Sequence, residues 1–225
     1  IITMSIENIK AINNDSISLI KQCLSLLPKD MKESFIFLAD GFEEIEALTV
    51  IDVLRRAEMP VKTVSISSSE YVTGAHGVTV KADTVFDKQL LCDPEWLILP
   101  GGMPGATNLY EHEQLREILI RHNDEKKKIA AICAAPAVVL GQLGILNGKK
   151  ATCYPGFENL CAGAEMIDSP VVVDDNIVCG NGPANAMSWA LNIVGVAKDE
   201  QAALHIANGM LYYPKACDDV DYCFG

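Results

Sequence analysis

Residues 128–136 read KIAAICAAP, and this stretch indicates how the chain folds. The apolar run from Lys128 to Cys133 is typical of a buried strand in a parallel sheet. Two alanines and Pro136 follow directly, and small residues suit a sharp bend that raises a side chain above the sheet. The stretch therefore predicts a strand, an elbow and a helix, with Cys133 at the bend.

Short apolar segments alternate with helical patterns on both sides of this elbow. The pattern predicts strands over 34–39, 61–66, 78–82, 96–100, 128–133 and 151–154, a hairpin over 171–179, and helices over 43–58, 106–126, 136–143, 184–196 and 200–208. Such alternation favours an α/β fold in which helices cover both faces of a mostly parallel sheet. A ligand crevice is expected outside the carboxyl ends of its strands.

The composition limits the kinds of partner. The 225 residues include 18 Lys and Arg against 30 Asp and Glu, a formal net charge of −12. This balance argues against nucleic acid as a main partner, and against a membrane, because an anionic surface attracts a positive face. Residues 1–30 are predicted to form a helical appendage, and residues 31–225 one domain with an acidic tail.

Eight cysteines stand in the chain, and no two are spaced CxxC. That spacing would support a zinc knuckle or a thioredoxin-type motif. The chain also lacks the opening pattern of a secretory signal at Ile1, which favours a reducing compartment and a cytoplasmic location. The cysteines are therefore expected to be free thiols, and no metal site is predicted.

Three strand-to-helix junctions, 40–46, 99–105 and 130–136, should open on the same side of the sheet. At Cys133 a helix N-terminus would lower the thiol pKa, although an inert buried cysteine is the alternative. Glycines at Gly101 and Gly102 leave backbone N–H groups open to a ligand, although Gly-Gly is often only a turn. Together the junctions indicate a site that combines a sulfur with backbone donors.

Glu46 is the carboxyl predicted to face this sulfur. Its neighbours three and four positions away include no cation that would keep it ionised. If its helix face meets the crevice, desolvation raises the pKa of the carboxyl and lets it exchange a proton with the sulfur. The alternative is a solvated glutamate in the first turn of a helix.

The chain resembles the DJ-1/PfpI superfamily, and within it the DJ-1/ThiJ-like branch, from about Ser34 to about Leu211. The resemblance rests on ordered segments: GFEEIE at 41–46, TGAHGV at 73–78, LPGG at 99–102, AICAAP at 131–136, ATCYPGFE at 151–158 and GPA at 182–184. It implies a flavodoxin-like sandwich, also shared with class I glutamine amidotransferases, that is usually a homodimer. No metal or other cofactor is implied.

The resemblance also implies roles for individual residues. Cys133 would be the nucleophilic, oxidisable cysteine, Glu46 the carboxyl hydrogen-bonded to it, and the N–H groups of Gly102 and Ala134 an oxyanion site. The pocket around them would include four further residues, namely Gly101, His76, Cys153 and Tyr154.

The chain departs from related families at several positions. Protease-like relatives carry a histidine where this chain has Ala134, which argues against peptidase activity. Amidotransferases need a His-x-Glu pair after the nucleophile, and none follows Cys133. Tyr154 and His76 stand where some DJ-1 proteins have His and Arg, so the resemblance does not extend to the affinity of their pocket for anions.

Two functions follow from the resemblance. One is a glyoxalase or deglycase that acts without glutathione on methylglyoxal and related reactive dicarbonyls. The other is an oxidative-stress or chaperone-like protein that senses oxidants through the same cysteine. A catalytically silent binding domain is a third reading.

The roles of Cys153, His112 and His122 are also considered. Cys153 is either a packed strand cysteine or a resolving thiol for oxidised Cys133. His112 and His122 lie on a polar helix and are predicted to be solvated.

Overall fold

The computed structural model describes residues 31–89, 91 and 93–213. The helix predicted in residues 1–30 and the acidic tail after Tyr213 lie outside the described residues. None of the helices in the described part of the chain has the length and apolar character that crossing a membrane requires.

The described residues form strands and helices in alternation. The strands are β1 (Ser34–Leu38), β2 (Val61–Ser65), β3 (Tyr71–Thr73), β4 (Thr79–Lys81), β5 (Thr84–Val85), β6 (Trp96–Leu99), β7 (Lys128–Ile132), β8 (Lys150–Ala151), β9 (Glu165–Met166), β10 (Val171–Asp174) and β11 (Ile177–Gly180). The α-helices are α1 (Glu44–Arg56), α2 (Gly105–Glu111), α3 (Glu113–Asp124), α4 (Ala186–Ala197) and α5 (Glu200–Gly209). Three short helices complete the set: a π-helix at Pro136–Gly141 and 3₁₀-helices at Glu158–Leu160 and Pro183–Asn185.

Seven strands form the central sheet in the order β10-β11-β7-β6-β1-β2-β5. All neighbours run parallel except β10, which pairs with β11 as the predicted antiparallel hairpin. The chain builds outward from β1 through β2 to β5, then returns to the other side of β1 with β6. The direction of winding reverses between β1 and β6, and folds of this kind bind ligands outside the carboxyl ends of the strands at such a point.

The core occupies both faces of the sheet. Phe35 and Phe37 of β1 belong to the same buried cluster as Leu119 of α3. Ile36 and Leu38 point to the opposite face because successive side chains of a strand alternate, and both are fully buried. The mostly parallel α/β sandwich is therefore confirmed.

The helix predicted over 106–126 is two helices, α2 and α3. His112 separates them: its backbone leaves the helical region, and its Nδ1 accepts from the N–H of Leu115, which caps α3. His122 is buried, so the prediction that it is solvated is wrong. Its Nε2 lies 3.0 Å from the carbonyl oxygen of Lys128, and burial lowers its pKa to about 4. A polar helix thus buries a neutral histidine against β7.

The loop before α2 lies tightly against the turn after β1. A Cβ added to Gly41 would lie 2.5 Å from Cδ of Pro104 and 2.9 Å from the nitrogen of Gly105, and the φ angle of Gly41 is +87°. Gly77 has nearly the same φ, +85°, but no atom within 4 Å of an added Cβ. A substitution at Gly77 therefore reports the free-energy cost of the backbone angle alone, whereas one at Gly41 adds the cost of a steric clash.

We expect Gly77→Ala to lower the free energy of unfolding by about 1 kcal/mol, the cost of left-handed backbone alone. Gly41→Ala should lower it by about 2 kcal/mol more, because the loop must also move away. Urea denaturation of the two variants measures the difference. Equal losses of unfolding free energy in the two variants would contradict this expectation, because they would mean that the loop at Pro104 moves aside without destabilising the protein.

Candidate active site

Cys133 lies at the elbow directly after β7. Its φ is +63°, a left-handed value that is unusual for a residue with a side chain and that clusters at functional sites. The backbone is held on both sides of the bend: the Cys133 N–H donates to the carbonyl of Gly180 at 2.9 Å, and its carbonyl accepts from the N–H of Tyr154 at 2.8 Å. The predicted strand-to-helix elbow is present, and hydrogen bonds to Gly180, at the end of β11, and to Tyr154 hold its conformation.

Glu46 lies in the first turn of α1 and is 0% exposed. Its Oε2 accepts from the N–H of Gly101 at 2.8 Å. Its Oε1 has no nitrogen or oxygen partner among the described residues, and the thiol of Cys133 is hydrogen-bonded to the carboxyl. The predicted carboxyl and sulfur are thus brought together, although they are far apart in sequence.

Gly101 lies against the side chains of both Cys133 and Glu46. A Cβ added to Gly101 would lie 2.6 Å from Cβ of Cys133 and 2.8 Å from Oε2 of Glu46. Its own carbonyl accepts from the N–H of Glu43 at 2.9 Å, which ties the loop to the start of α1. Any side chain at Gly101 would occupy the space in which the carboxyl and the sulfur meet.

Burial governs the charges of the pair. It raises the pKa of Glu46 to about 7, although the N–H of Gly101 and the contact with Cys133 act in the opposite direction. Burial and the charge of Glu46 raise the pKa of the Cys133 thiol to about 12. The thiol was predicted to have a lowered pKa, and that prediction is wrong because desolvation outweighs the nearby backbone donors. The raised pKa predicted for Glu46 is confirmed.

Backbone N–H groups of Gly102 and Ala134 are hydrogen-bonded to the sulfur and act to lower its pKa. Gly102 can take this position because it has no side chain: at its φ of +89° an added Cβ would lie 2.4 Å from the nitrogen of Glu43. Donors that converge on a nucleophile can also stabilise an oxyanion formed beside it. The site therefore combines a sulfur, a proton-exchanging carboxyl and two fixed donors.

His76 is held by the glutamates that precede Glu46. Its Nδ1 lies 2.8 Å from Oε2 of Glu44 and 3.4 Å from Oε2 of Glu43, and its side chain is 70% exposed. Although burial opposes it, the hydrogen bonds from His76 lower the pKa of Glu44. These three residues are the group in the described part of the chain with donor atoms close enough to hold a cation. The Nδ1 atom of His76 is already paired with Glu44, so this ion pair is sufficient to explain why the three side chains lie together.

Tyr154 and Cys153 differ in how they meet the site. Tyr154 is joined to Cys133 through its backbone, and its exposed ring stands beside Gly182. The thiol of Cys153, predicted to face the pocket, is instead hydrogen-bonded to the thiol of Cys161. Cys153 is therefore better explained as a packed core cysteine than as a resolving thiol for oxidised Cys133.

Sequence reasoning missed Cys161 and Gly180. Cys161 follows Cys153 after eight positions, a spacing that matches no metal or redox motif, so no local signal relates the two thiols. Gly180 ends β11, and an added Cβ there would lie 2.9 Å from Cγ1 of Ile132. A glycine at the end of a strand next to the elbow was the available signal for a close approach.

The pKa of Glu46 predicts how stability depends on pH. In the unfolded chain this carboxyl ionises near its ordinary pKa of 4.5, whereas in the folded protein it keeps its proton up to about pH 7. The unfolded state therefore binds fewer protons within this window, and the free energy of unfolding falls as the pH rises. At about 1.4 kcal/mol for each pKa unit, the loss is about 3 kcal/mol.

The measurement compares wild type with Glu46→Gln, in urea, from pH 4.5 to 7.5. Subtracting the variant removes the titration of all other groups, so the stability difference should change by about 3 kcal/mol in favour of the variant as the pH rises. Glu111→Gln, at an exposed position of α2, is the matched control and should track the wild type. Parallel curves for wild type and Glu46→Gln would contradict the raised pKa.

Comparison with known proteins gives relatives along most of the chain. A relative from Arabidopsis thaliana, "Protein DJ-1 homolog B", is 34% identical over 189 residues, which are 84% of this chain and 43% of that protein. The chain thus spans less than half the length of that relative. "Deglycase PfpI" from Pyrococcus furiosus is 33% identical over 163 residues, which are 71% of this chain and 96% of that protein.

A solved structure agrees with the fold. The structure described as "Toxoplasma gondii DJ-1, oxidized" superposes with a TM-score of 0.78 at 36% identity, and covers 81% of this chain and 100% of its own. The model of the DJ-1/PfpI family matches residues 32–195, a range that contains Glu46, Gly101 and Cys133. The chain therefore belongs to the DJ-1/PfpI family.

Proposed function

We propose that this protein is a cysteine-dependent enzyme of the glyoxalase or deglycase type, which acts on methylglyoxal and related small dicarbonyls or their early adducts. One observation carries the proposal: a fully buried carboxyl with a pKa of about 7 contacts the only thiol that also receives the N–H groups of Gly102 and Ala134, among the described residues. A proton donor and acceptor works best when its pKa lies near the working pH. The relatives named deglycases support the same reaction class.

The first step joins the sulfur to the substrate. Ionised Glu46 takes the proton of the Cys133 thiol as the sulfur adds to the aldehyde carbon of methylglyoxal, which forms a hemithioacetal. The oxygen that becomes negative lies against the N–H groups of Gly102 and Ala134 and receives the proton from Glu46. The net change is addition of S–H across the carbonyl.

The second step moves a proton between the two carbons of the substrate. Glu46 removes the hydrogen of the former aldehyde carbon and delivers it to the neighbouring ketone carbon. The hydroxyl proton of the first carbon passes to the oxygen of the second, so that the adduct becomes a thioester of lactate. Water then cleaves the thioester, releases lactate and restores the thiol. Since the rearrangement is internal, the reaction needs only water and no redox cofactor.

A redox-responsive role for the same cysteine is the alternative. Cys133 is 9% exposed, so a small oxidant reaches it more readily than a macromolecule does. The homodimer and the cytoplasmic location expected from the resemblance stay predictions. The alternative differs from the enzyme in one measurable respect, because a sensor need not turn over methylglyoxal.

We expect Cys133→Ala and Glu46→Gln each to lower the rate of lactate formation from methylglyoxal at least a hundredfold, since both groups act in bond formation or proton transfer. The assay contains no glutathione and detects lactate directly. Cys179→Ala, which removes a fully buried thiol elsewhere in the sheet, and Glu111→Gln should keep the wild-type rate. A wild type that produces no lactate, yet is oxidised by peroxide at Cys133, would replace this proposal with the sensor.

The pH profile of the reaction tests the role of Glu46 as a base. Because the first step needs ionised Glu46, kcat/KM should rise with pH through a midpoint at about 7, the pKa of that carboxyl. No second midpoint is expected below about pH 12, where the thiol itself titrates. A rate already at its maximum at pH 5 would show that another group accepts the proton.

A further inference from the structure

Three carboxyl groups lie at the start of α1, and the proposed reaction uses one of them. Glu43, Glu44 and Glu46 are 8%, 6% and 0% exposed. Glu46 transfers protons, whereas Glu43 and Glu44 take part in neither proton transfer nor bond formation. A buried charge is unfavourable unless it is paired, so the partners of these two groups show what net charge the site carries.

Glu43 is tied to the loop that supplies backbone donors to the site. Its N–H donates to the carbonyl of Gly101 at 2.9 Å, and a Cβ added to Gly102 would lie 2.4 Å from its nitrogen. It is the N-cap of α1, and its side chain accepts from the N–H of Ile45 at 3.3 Å. Glu46 is the third residue of the helix after this cap, a position whose side chain lies beside that of the cap. The carboxyl of Glu43 is therefore held close to the reacting groups.

Glu44 is bound by the turn between β3 and β4. Its Oε1 accepts from the backbone N–H groups of His76 at 2.7 Å and of Val78 at 3.4 Å, and its Oε2 lies 2.8 Å from Nδ1 of His76. Donors that converge on a carboxylate favour its ionised form. Glu44 is therefore a paired charge, and its partner is the ring of His76.

Carboxylates outnumber cations at this end of the sheet. Nδ1 of His76 lies 3.4 Å from Oε2 of Glu43 but only 2.8 Å from Oε2 of Glu44. One imidazolium thus faces two carboxylates, and because Glu44 has the shorter contact, the charge of Glu43 is left in excess. Ionised Glu46 adds a further negative charge, and Asp40 adds an exposed one directly after the buried end of β1. The site is therefore negative whenever Glu46 is ionised.

The stronger cations of the neighbouring elements lie away from the site. Arg55 and Arg56 stand in the last turn of α1, and both pair with aspartates there. The lysines at 126–128 lie at the start of β7, whereas Cys133 follows its end. Five residues of extended strand span about 16 Å, which is about twice the distance over which physiological salt screens a charge. These cations therefore do little to offset the charge of Glu43.

We propose that Glu43 is a specificity-determining residue, through which the active site accepts uncharged dicarbonyls and rejects those that carry a carboxylate or a phosphate. The proposal rests on the proposed function and names its substrate class. An anionic substrate would place another negative charge beside Glu43 and ionised Glu46, in a site largely shielded from water, where like charges repel more strongly than in bulk water. Methylglyoxal is uncharged and meets no such repulsion.

The first test measures selection by charge without any turnover. Cys133 of the full chain is alkylated at pH 7.5 with iodoacetamide, which is neutral, or with iodoacetate, an anion of nearly the same size. Trypsin cleaves after Lys128 and Lys149, and the peptide 129–149 contains Cys133 as its one cysteine, so mass spectrometry gives the rate at this sulfur. The same two reagents on N-acetylcysteine amide, a small uncharged thiol, correct for their intrinsic reactivity.

After this correction, iodoacetamide should react with Cys133 at least about tenfold faster than iodoacetate. Glu43→Gln removes the charge but keeps an oxygen that can cap α1, so this ratio should fall at least about threefold. Glu43→Asp keeps both the charge and a capping carboxylate, and it should hold the ratio near that of wild type. Glu111→Gln, which removes an exposed charge from α2, should leave the ratio unchanged.

The second test uses turnover. 2-Oxopentanal and 4,5-dioxopentanoate share a five-carbon chain with the same aldehyde and ketone, and they differ in ending with a methyl group or a carboxylate. We expect kcat/KM to be at least about tenfold higher for 2-oxopentanal, and Glu43→Gln to narrow the difference. A change in proton transfer by Glu46 affects both substrates alike, so the ratio of the two values reports the effect of charge.

Equal corrected alkylation rates, or a faster reaction with iodoacetate, would overturn the proposal and would identify the exposed ring of His76 as a group that attracts anions. A ratio that is the same in wild type and Glu43→Gln would also overturn it. If wild type prefers iodoacetamide but converts neither dicarbonyl, the selection by charge stands and the proposed reaction fails. The wild-type and Glu43→Asp ratios remain decisive even if Glu43→Gln does not fold.

Discussion

The contact between Glu46 and Cys133 is the interaction on which the rest of the site depends. A buried carboxyl and a nearly buried thiol do not both become charged near neutral pH, because burial penalises each charge and no cationic side chain in the described part of the chain acts on either group. The pair is therefore neutral below about pH 7 and carries one negative charge above it, and the N–H of Gly101 faces the carboxyl at 2.8 Å. Desolvation brings the pKa of Glu46 to a value at which it both accepts and releases a proton at neutral pH.

That contact requires three loops to meet within hydrogen-bonding distance, which is a constraint on the backbone. The loops follow β1, β6 and β7, the neighbouring strands at the point where the winding of the sheet reverses. Gly41, Gly101 and Gly102 stand where an added Cβ would overlap the next loop. Close approach of the loops is the reason for glycine at all three positions, and a left-handed backbone is a second reason at Gly41 and Gly102.

The cysteines show how one side chain acquires different chemistry from its surroundings. Cys133 combines a left-handed backbone with a carboxyl partner and two N–H donors. Cys153 and Cys161 have each other as partners, and Cys179 has a backbone N–H within the sheet. Their surroundings, and not the side chain itself, therefore distinguish the cysteine proposed for catalysis from the other three.

The sequence by itself determined the alternation of strands and helices and the elbow at Cys133, because periodicity and small residues are local properties. It left two readings of Glu46, and the family resemblance favoured the carboxyl that faces the sulfur. Only the tertiary structure decided that His112 divides a helix, that His122 is buried, that the thiol pKa is raised and that Cys153 meets Cys161. Each of these depends on desolvation or contact by residues distant in the chain. Such neighbours are set by how the strands stack, and no local pattern encodes them.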